Sequence, residues 1–138
     1  MTSNDFDYLK RFQERSLGAE HFDHRGHLRM AWVHLRHFPT REATQRVCQG
    51  VKALAAAFGV PEKYNHTLTE AFMRLLAPRM HGEAENDFER FLVDNRELVD
   101  DAEGLILRHY SRERLDSVQA KAGWIEPDLE PIDPLGNP

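Results

Sequence analysis

Apolar residues recur every three to four positions along most of the chain, which is the spacing of one face of an α-helix. The segments with this spacing are residues 3–16, 24–38, 41–58, 62–77, 83–93 and 97–110, followed by a short helix over 111–122. They predict a single all-α domain over residues 1–138, with about six helices packed as an irregular or orthogonal bundle.

Polar and small residues mark the ends of these segments. Asp23, Thr40 and Ser111 each precede a helical segment and predict N-terminal caps, because their side-chain oxygens can accept from N–H groups of the first turn. Gly59 and Pro61 predict the end of the third helix, since glycine often terminates helices and proline cannot continue one. These signals divide the chain without indicating an internal repeat or a second domain.

The chain from Gly123 onward has a different pattern. Its four prolines exclude a regular helix or a central strand, so residues 123–138 are predicted to form an extended tail. Apolar residues lie between the prolines, among them Trp124 and Leu129. An extended segment of this kind gains stability only by packing, and we expect both side chains to be buried against the helices.

The second segment places histidines on its apolar side. Leu28 and Ala31 share one face of the helix, and His24 and His27 fall on the same side one turn earlier. His109 falls on the apolar stripe of the sixth segment. Imidazoles directed at a core need polar partners. The sequence therefore predicts three inward-facing histidines and a site built around them.

The predicted site is a metal site. A histidine pair at i, i+3 can chelate one metal ion from a single helical turn, and the predicted ligands are His24, His27 and His109. The polar neighbours on the fourth segment are Asn65, His66, Thr69 and Glu70. His66 and Glu70, at i, i+4, are interpreted as a surface pair rather than as ligands. The chain has no Glu-x-x-His pair of the di-iron type, which favours zinc or mononuclear iron.

The inward histidines have two other interpretations. They could form a core hydrogen-bond network with tyrosine, asparagine and threonine side chains, or they could line a metal-free pocket. The functional hypothesis is a helical protein with a histidine-lined internal pocket, which acts as a metal-binding protein or a metal-dependent enzyme on a small molecule. The alternative is a non-catalytic interaction module whose histidines only stabilise the core.

The composition of the chain excludes some classes of binding partner and indicates the cellular compartment. The net charge of −5 argues against a general nucleic-acid binder, which needs a basic surface to displace counterions from phosphates. No apolar run approaches the ~20 residues of a membrane-spanning helix, so no membrane partner is expected. The lone Cys48 excludes an internal disulfide, and the polar, acidic N-terminus is unlike a secretory signal. We therefore expect a cytoplasmic protein.

Four short stretches resemble a group of small, uncharacterised bacterial proteins. They are Phe22-x-His24-x-x-His27-Leu28-x-x-Ala31-Trp32, Lys63-Tyr64-x-x-Thr67-Leu68-Thr69, His109-Tyr110-Ser111 and Pro127-Asp128-Leu129-x-Pro131. The pattern of the group has a histidine directly after the tyrosine of the second stretch, where this chain has Asn65 followed by His66. That departure weakens any site that needs an imidazole at this position. The resemblance spans most of the chain and implies a bacterial all-helical domain without a transferable activity.

Overall fold

Eight α-helices form the part of the chain that the computed structural model describes, residues 3–18 and 23–135. They are α1 (Ser3–Gln13), α2 (His24–His37), α3 (Thr40–Ala57), α4 (His66–Leu76), α5 (Phe88–Asp94), α6 (Arg96–Leu107), α7 (Arg112–Leu115) and α8 (Val118–Ala122). Short 3-10 turns lie at Pro61–Lys63, Ala77–Arg79 and Gly82–Glu85. No β-strand occurs in the described ranges, which confirms the all-α prediction. None of the described helices combines the length and the apolar character that a membrane crossing requires.

Helix α2 lies at the centre of the larger of two apolar clusters. Its side chains Leu28, Ala31 and Val33 are each at most 1% exposed. The helix makes its most extensive contact with α3, and α1, α4 and α6 also pack against it. The Trp32 Nε1–H donates to the Ala84 carbonyl over 2.8 Å and so joins α2 to the turn before α5. The face predicted from Leu28 and Ala31 is therefore the buried face of this helix.

Two of the three predicted caps are confirmed. The Asp23 carboxylate accepts from the Gly26 N–H over 2.7 Å. The Ser111 hydroxyl accepts from the Arg114 N–H over 3.2 Å. The Thr40 prediction is wrong, because α3 begins at Thr40 itself and the preceding proline occupies the cap position. Proline fits there because its ring already holds the backbone near a helix-compatible φ.

Internal capping residues shorten or divide three of the predicted helices. The predicted helix 62–77 begins only at His66, because the Asn65 side-chain oxygen accepts from the Leu68 N–H over 3.0 Å. Asp87 and Ser117 cap α5 and α8 in the same way, so the predicted helices 83–93 and 111–122 are each interrupted. Short polar side chains that bond to nearby backbone groups compete with helix continuation, which explains these breaks.

A second, smaller apolar cluster joins α4 and α6 to the C-terminal segment. Ala71 and Tyr110 are fully buried in it, and Ile106 and Ile132 are 3% and 9% exposed. The Tyr110 hydroxyl donates to the Ile125 carbonyl over 2.6 Å. A buried tyrosine needs such a partner, so this bond fixes the tail where it crosses the end of α6.

The tail packs on the helices along only part of its length. Residues 123–135 form neither helix nor strand, and the Thr67 hydroxyl donates to the Gly123 carbonyl over 2.6 Å. Trp124 is half-buried, whereas Leu129 is 56% exposed. The predicted burial of Leu129 is therefore wrong, and Ile132 takes the buried position instead. Residues 136–138 of the predicted tail lie outside the described residues.

Gly50 allows α1 and α3 to approach each other closely. A methyl group built at Gly50 would overlap the ring of Phe12, which is buried on α1. We expect Gly50→Ala to lower the free energy of unfolding by about 1–2 kcal/mol, because the ring must leave its packed position. Urea denaturation of both proteins measures this difference.

The matched control for this substitution is Gly123→Ala. A methyl group at Gly123 meets no atom within 4 Å, and we expect a change of less than about 0.5 kcal/mol. A Gly50→Ala protein as stable as the parent would show that the α1–α3 contact is looser than described.

Candidate functional site

The structure places His24 and His27 at the surface. Both residues are exposed in the first turn of α2, beyond the buried stripe that begins at Leu28. The His24 Nε2–H donates to the Leu98 carbonyl of α6 over 2.8 Å. The prediction that this pair faces the core is wrong, because a helical wheel gives the direction of a side chain but not its depth along the helix axis.

His109 lies in a different part of the molecule. It is half-buried just after α6, and its Nδ1–H donates to the Glu130 carbonyl of the tail over 3.0 Å. Leu98, the partner of His24, lies in the first turn of α6, whereas His109 follows the last residue of that helix. Within residues 3–18 and 23–135, no group of three or more histidine, cysteine or acidic side chains is placed to hold a metal ion. The structure therefore does not bring the three predicted ligands together.

The predicted neighbours on α4 form a separate hydrogen-bond network. Tyr64 O–H donates to His66 Nδ1 over 2.9 Å, and His66 Nε2–H donates to a Glu70 oxygen over 3.1 Å. The other Glu70 oxygen accepts from Arg74 Nε over 3.0 Å. The Glu70 and Arg74 side chains are only 12% and 13% exposed, so this is a partly buried network rather than a surface pair. Of the other neighbours, Thr69 bonds locally, its hydroxyl donating to the carbonyl of the α4 cap over 2.8 Å.

Cys48 lies beside this network and is not activated by it. The side chain is buried, and burial raises the pKa of its thiol to about 11, although a hydrogen bond with Tyr64 opposes the shift. Burial also raises the pKa of the Tyr64 hydroxyl. Both groups therefore remain protonated at neutral pH, whereas nucleophilic cysteines need a lowered pKa. Neither Cys48 nor Tyr64 is therefore activated as a nucleophile here.

A cleft between α1, α2 and α3 provides a better candidate site. Its volume is about 330 Å³, at the lower end of the range for small-molecule sites. The lining residues that bear on its chemistry are Phe12, Gln13, Arg15, His34, Arg46 and Gln49. Among the lining side chains that the structure describes, two are arginines and none is acidic. We refer to this space as the α1–α3 cleft.

His34 is the buried histidine of α2. It is 1% exposed, and its Nδ1–H donates to the Met30 carbonyl over 2.7 Å. Its ring meets Phe12 edge to face, with the ring centroids 4.8 Å apart. Burial, opposed by the Met30 bond and assisted by Arg46, lowers the pKa of His34 to about 4. The ring is therefore neutral at pH 7, with Nε2 as its hydrogen-bond acceptor.

Arg46 supplies the cation next to this imidazole. Its guanidinium lies 4.2 Å from the centroid of the Phe38 ring, and its Nε is 3.4 Å from a Glu42 oxygen on the same helix. That Nε is buried and has no hydrogen-bond partner among the described residues. The pairing of this Nε with Glu42 is therefore electrostatic. The terminal N–H groups of the guanidinium are the donors that Arg46 can offer to a molecule in the cleft.

Arg15 lines the same cleft with a strained backbone. Its φ of +58° lies in the left-handed region, which costs a residue with a side chain about 1 kcal/mol or more. The bond from the Arg15 N–H to the Phe12 carbonyl, at 3.1 Å, and that from the Ser16 N–H to the Arg11 carbonyl, at 2.9 Å, hold this turn at the end of α1. Arg15, the second arginine of the cleft, therefore lies in a turn whose backbone is held by hydrogen bonds.

Sequence reasoning identified the helix that carries the cleft but not the histidine that faces it. His34 follows Ala31 by three residues and so lies on the predicted apolar side of the helix. This position is the feature of the sequence that could have identified it. Comparison with known proteins adds no assignment: no family model, no curated protein and no solved structure matches the chain.

Proposed function

We propose that the protein binds a small organic carboxylate in the α1–α3 cleft. The observation that carries the proposal is a cleft of ligand size lined by two arginines and, among its described residues, no acidic side chain. The guanidinium group has a planar fork of donors that matches the geometry of a carboxylate. The favoured ligand class is therefore anionic and small.

The other residues that line the α1–α3 cleft indicate which further chemical groups the ligand has. Phe12 offers an aromatic surface, and Gln13 and Gln49 offer neutral donors and acceptors. The neutral His34 accepts at Nε2, because its Nδ1–H is bonded to the Met30 carbonyl. A ligand that fits has a carboxylate for the arginines and a hydroxyl or N–H donor for the imidazole. Hydroxycarboxylates and aminocarboxylates have both groups.

The proposal is a binding function rather than a reaction. The raised pKa of Cys48 keeps its thiol protonated, and the lowered pKa of His34 makes its imidazole a weak base. Neither group has the protonation behaviour that nucleophilic or general-base catalysis requires at neutral pH. Recognition of an anion is the chemistry that the lining residues perform best.

Ligand binding by the parent and an Arg46→Gln variant tests this function. Mandelate and phenylacetate differ by one hydroxyl group and serve as paired probes, with inorganic phosphate as a third. We expect mandelate to bind the parent and Arg46→Gln to weaken that binding at least tenfold. A tenfold change corresponds to about 1.4 kcal/mol, which is the loss expected from one charge-assisted hydrogen bond. Isothermal titration calorimetry at low salt measures both affinities.

Arg41→Gln is the matched control, because Arg41 is exposed on the same helix and does not line the cleft. We expect its affinity for mandelate to equal that of the parent within twofold, and phenylacetate to bind more weakly than mandelate. Equal weakening by both substitutions would mean that general charge, not the cleft, attracts the anion. A parent that binds none of the probes, or phosphate alone, would overturn the proposal.

A further inference from the structure

We propose that His24 and His27 form a two-imidazole site for a divalent transition-metal ion at the start of α2, separate from the α1–α3 cleft. The two residues are spaced i, i+3 on one helical turn, so both side chains leave the same side of the helix. His34, the histidine of the cleft, follows His27 by seven residues, which corresponds to about 10 Å along the helix. The two sites can therefore be tested independently.

The bond between His24 and α6 determines which nitrogen can bind metal. The Leu98 carbonyl can only accept, so the His24 nitrogen 2.8 Å away, Nε2, carries the proton. In the neutral ring, Nδ1 then holds the free lone pair. Metal-binding histidines usually donate their second ring N–H to a carbonyl or a carboxylate, which fixes the tautomer and the ring orientation. His24 has this arrangement already, without a metal.

His27 is the neighbour of His24 on the surface of α2, because residues three positions apart on a helix have their Cβ atoms about 5–6 Å apart. Two imidazoles at this separation can bind one metal ion between them. Asp23, which caps α2, places negative charge beside the site and offsets the positive end of the helix dipole.

The surroundings of the pair define the kind of metal site. Both residues are exposed, so an ion can enter without any movement of the core. Two imidazoles leave the remaining coordination positions to water, which suits nickel, copper or zinc rather than calcium or magnesium. Because a structural zinc site normally has four protein ligands, this pair should bind more weakly than such a site.

Replacement of His24 by glutamine is the decisive variant. The glutamine amide can still donate to the Leu98 carbonyl, but it has no counterpart of the Nδ1 lone pair. Tag-free parent protein should bind Ni²⁺ in a calorimetric titration at pH 7.5, and His24→Gln and His27→Gln should each weaken binding at least tenfold. Urea denaturation without metal should show that His24→Gln is as stable as the parent within experimental error, which separates lost ligation from lost folding.

His109→Asn is the control for general loss of imidazole, because asparagine can keep the donor to the Glu130 carbonyl. Its affinity for Ni²⁺ should match the parent within twofold. Unchanged binding in His24→Gln, equal loss in His109→Asn, or a parent that binds none of Ni²⁺, Cu²⁺ and Zn²⁺ would each overturn the proposal.

Discussion

Replacing Asp5 with asparagine should lower the free energy of unfolding by about 3 kcal/mol, because it leaves a partly buried arginine without its counter-charge. Asp5 is 5% exposed on α1. One of its oxygens accepts from Arg36 over 3.1 Å and from His37 Nε2 over 2.7 Å, both at the end of α2. The Arg36 side chain is only 20% exposed, so water can replace the lost partner only in part.

The melting temperature should fall by roughly 10 °C in parallel with this loss. Asp7→Asn is the matched control, since Asp7 is an exposed carboxylate on the same helix, and it should change the free energy by less than about 0.5 kcal/mol. Urea denaturation followed by circular dichroism measures both variants. If Asp5→Asn behaves like Asp7→Asn, the junction between α1 and the end of α2 does not depend on this charge.

Acidification should destabilise the protein through His34. Its pKa is about 4 in the folded protein against an ordinary value of 6.5, so the unfolded chain binds more protons between these values. Stability is then fully present above pH 6.5 and is lost as the pH falls toward 4. Between pH 7 and pH 5 this one group should remove about 2 kcal/mol from the free energy of unfolding.

Comparison with His34→Asn isolates this effect, because other titrating groups are the same in both proteins. Asparagine can keep the donor to the Met30 carbonyl but does not titrate. Urea denaturation at pH 7 and pH 5 should show a loss in the parent that exceeds the loss in the variant by about 2 kcal/mol. The same pH dependence in both proteins would mean that the His34 ring is hydrated and titrates normally.

The sequence allowed the helices and the buried face of α2 to be predicted because their causes are local. Asp23 caps α2 as expected, and Leu28 and Ala31 are buried as their spacing indicates. Helical spacing does not show which turns of a helix lie within the core and which extend beyond it. His24 and His27 have the angular position of core residues but lie beyond the end of the core, whereas His34 lies within it.

The α1–α3 cleft could not be predicted, because its shape depends on how three helices pack. Gly50 brings α1 against α3 through the space that a side chain would fill. The position of the Arg46 guanidinium over the Phe38 ring is likewise a product of tertiary structure, whereas the left-handed backbone of Arg15 belongs to the local turn that ends α1. Periodicity along the chain contains no information about any of these three features.

The division of the interior into two apolar clusters also sets an order of assembly during synthesis. The larger cluster is built from buried residues between Tyr8 and Leu105, whereas the smaller one also requires Ile132. A chain made from its N-terminus therefore has every buried residue of the first cluster before the tail exists, and domains generally fold as units in this direction. Ile106 on α6 and Tyr110 just beyond its end lack the cover of residues 124–132 until that segment arrives. A pause in translation before residue 124 would thus leave the second cluster without its cover from the tail, a condition that favours aggregation.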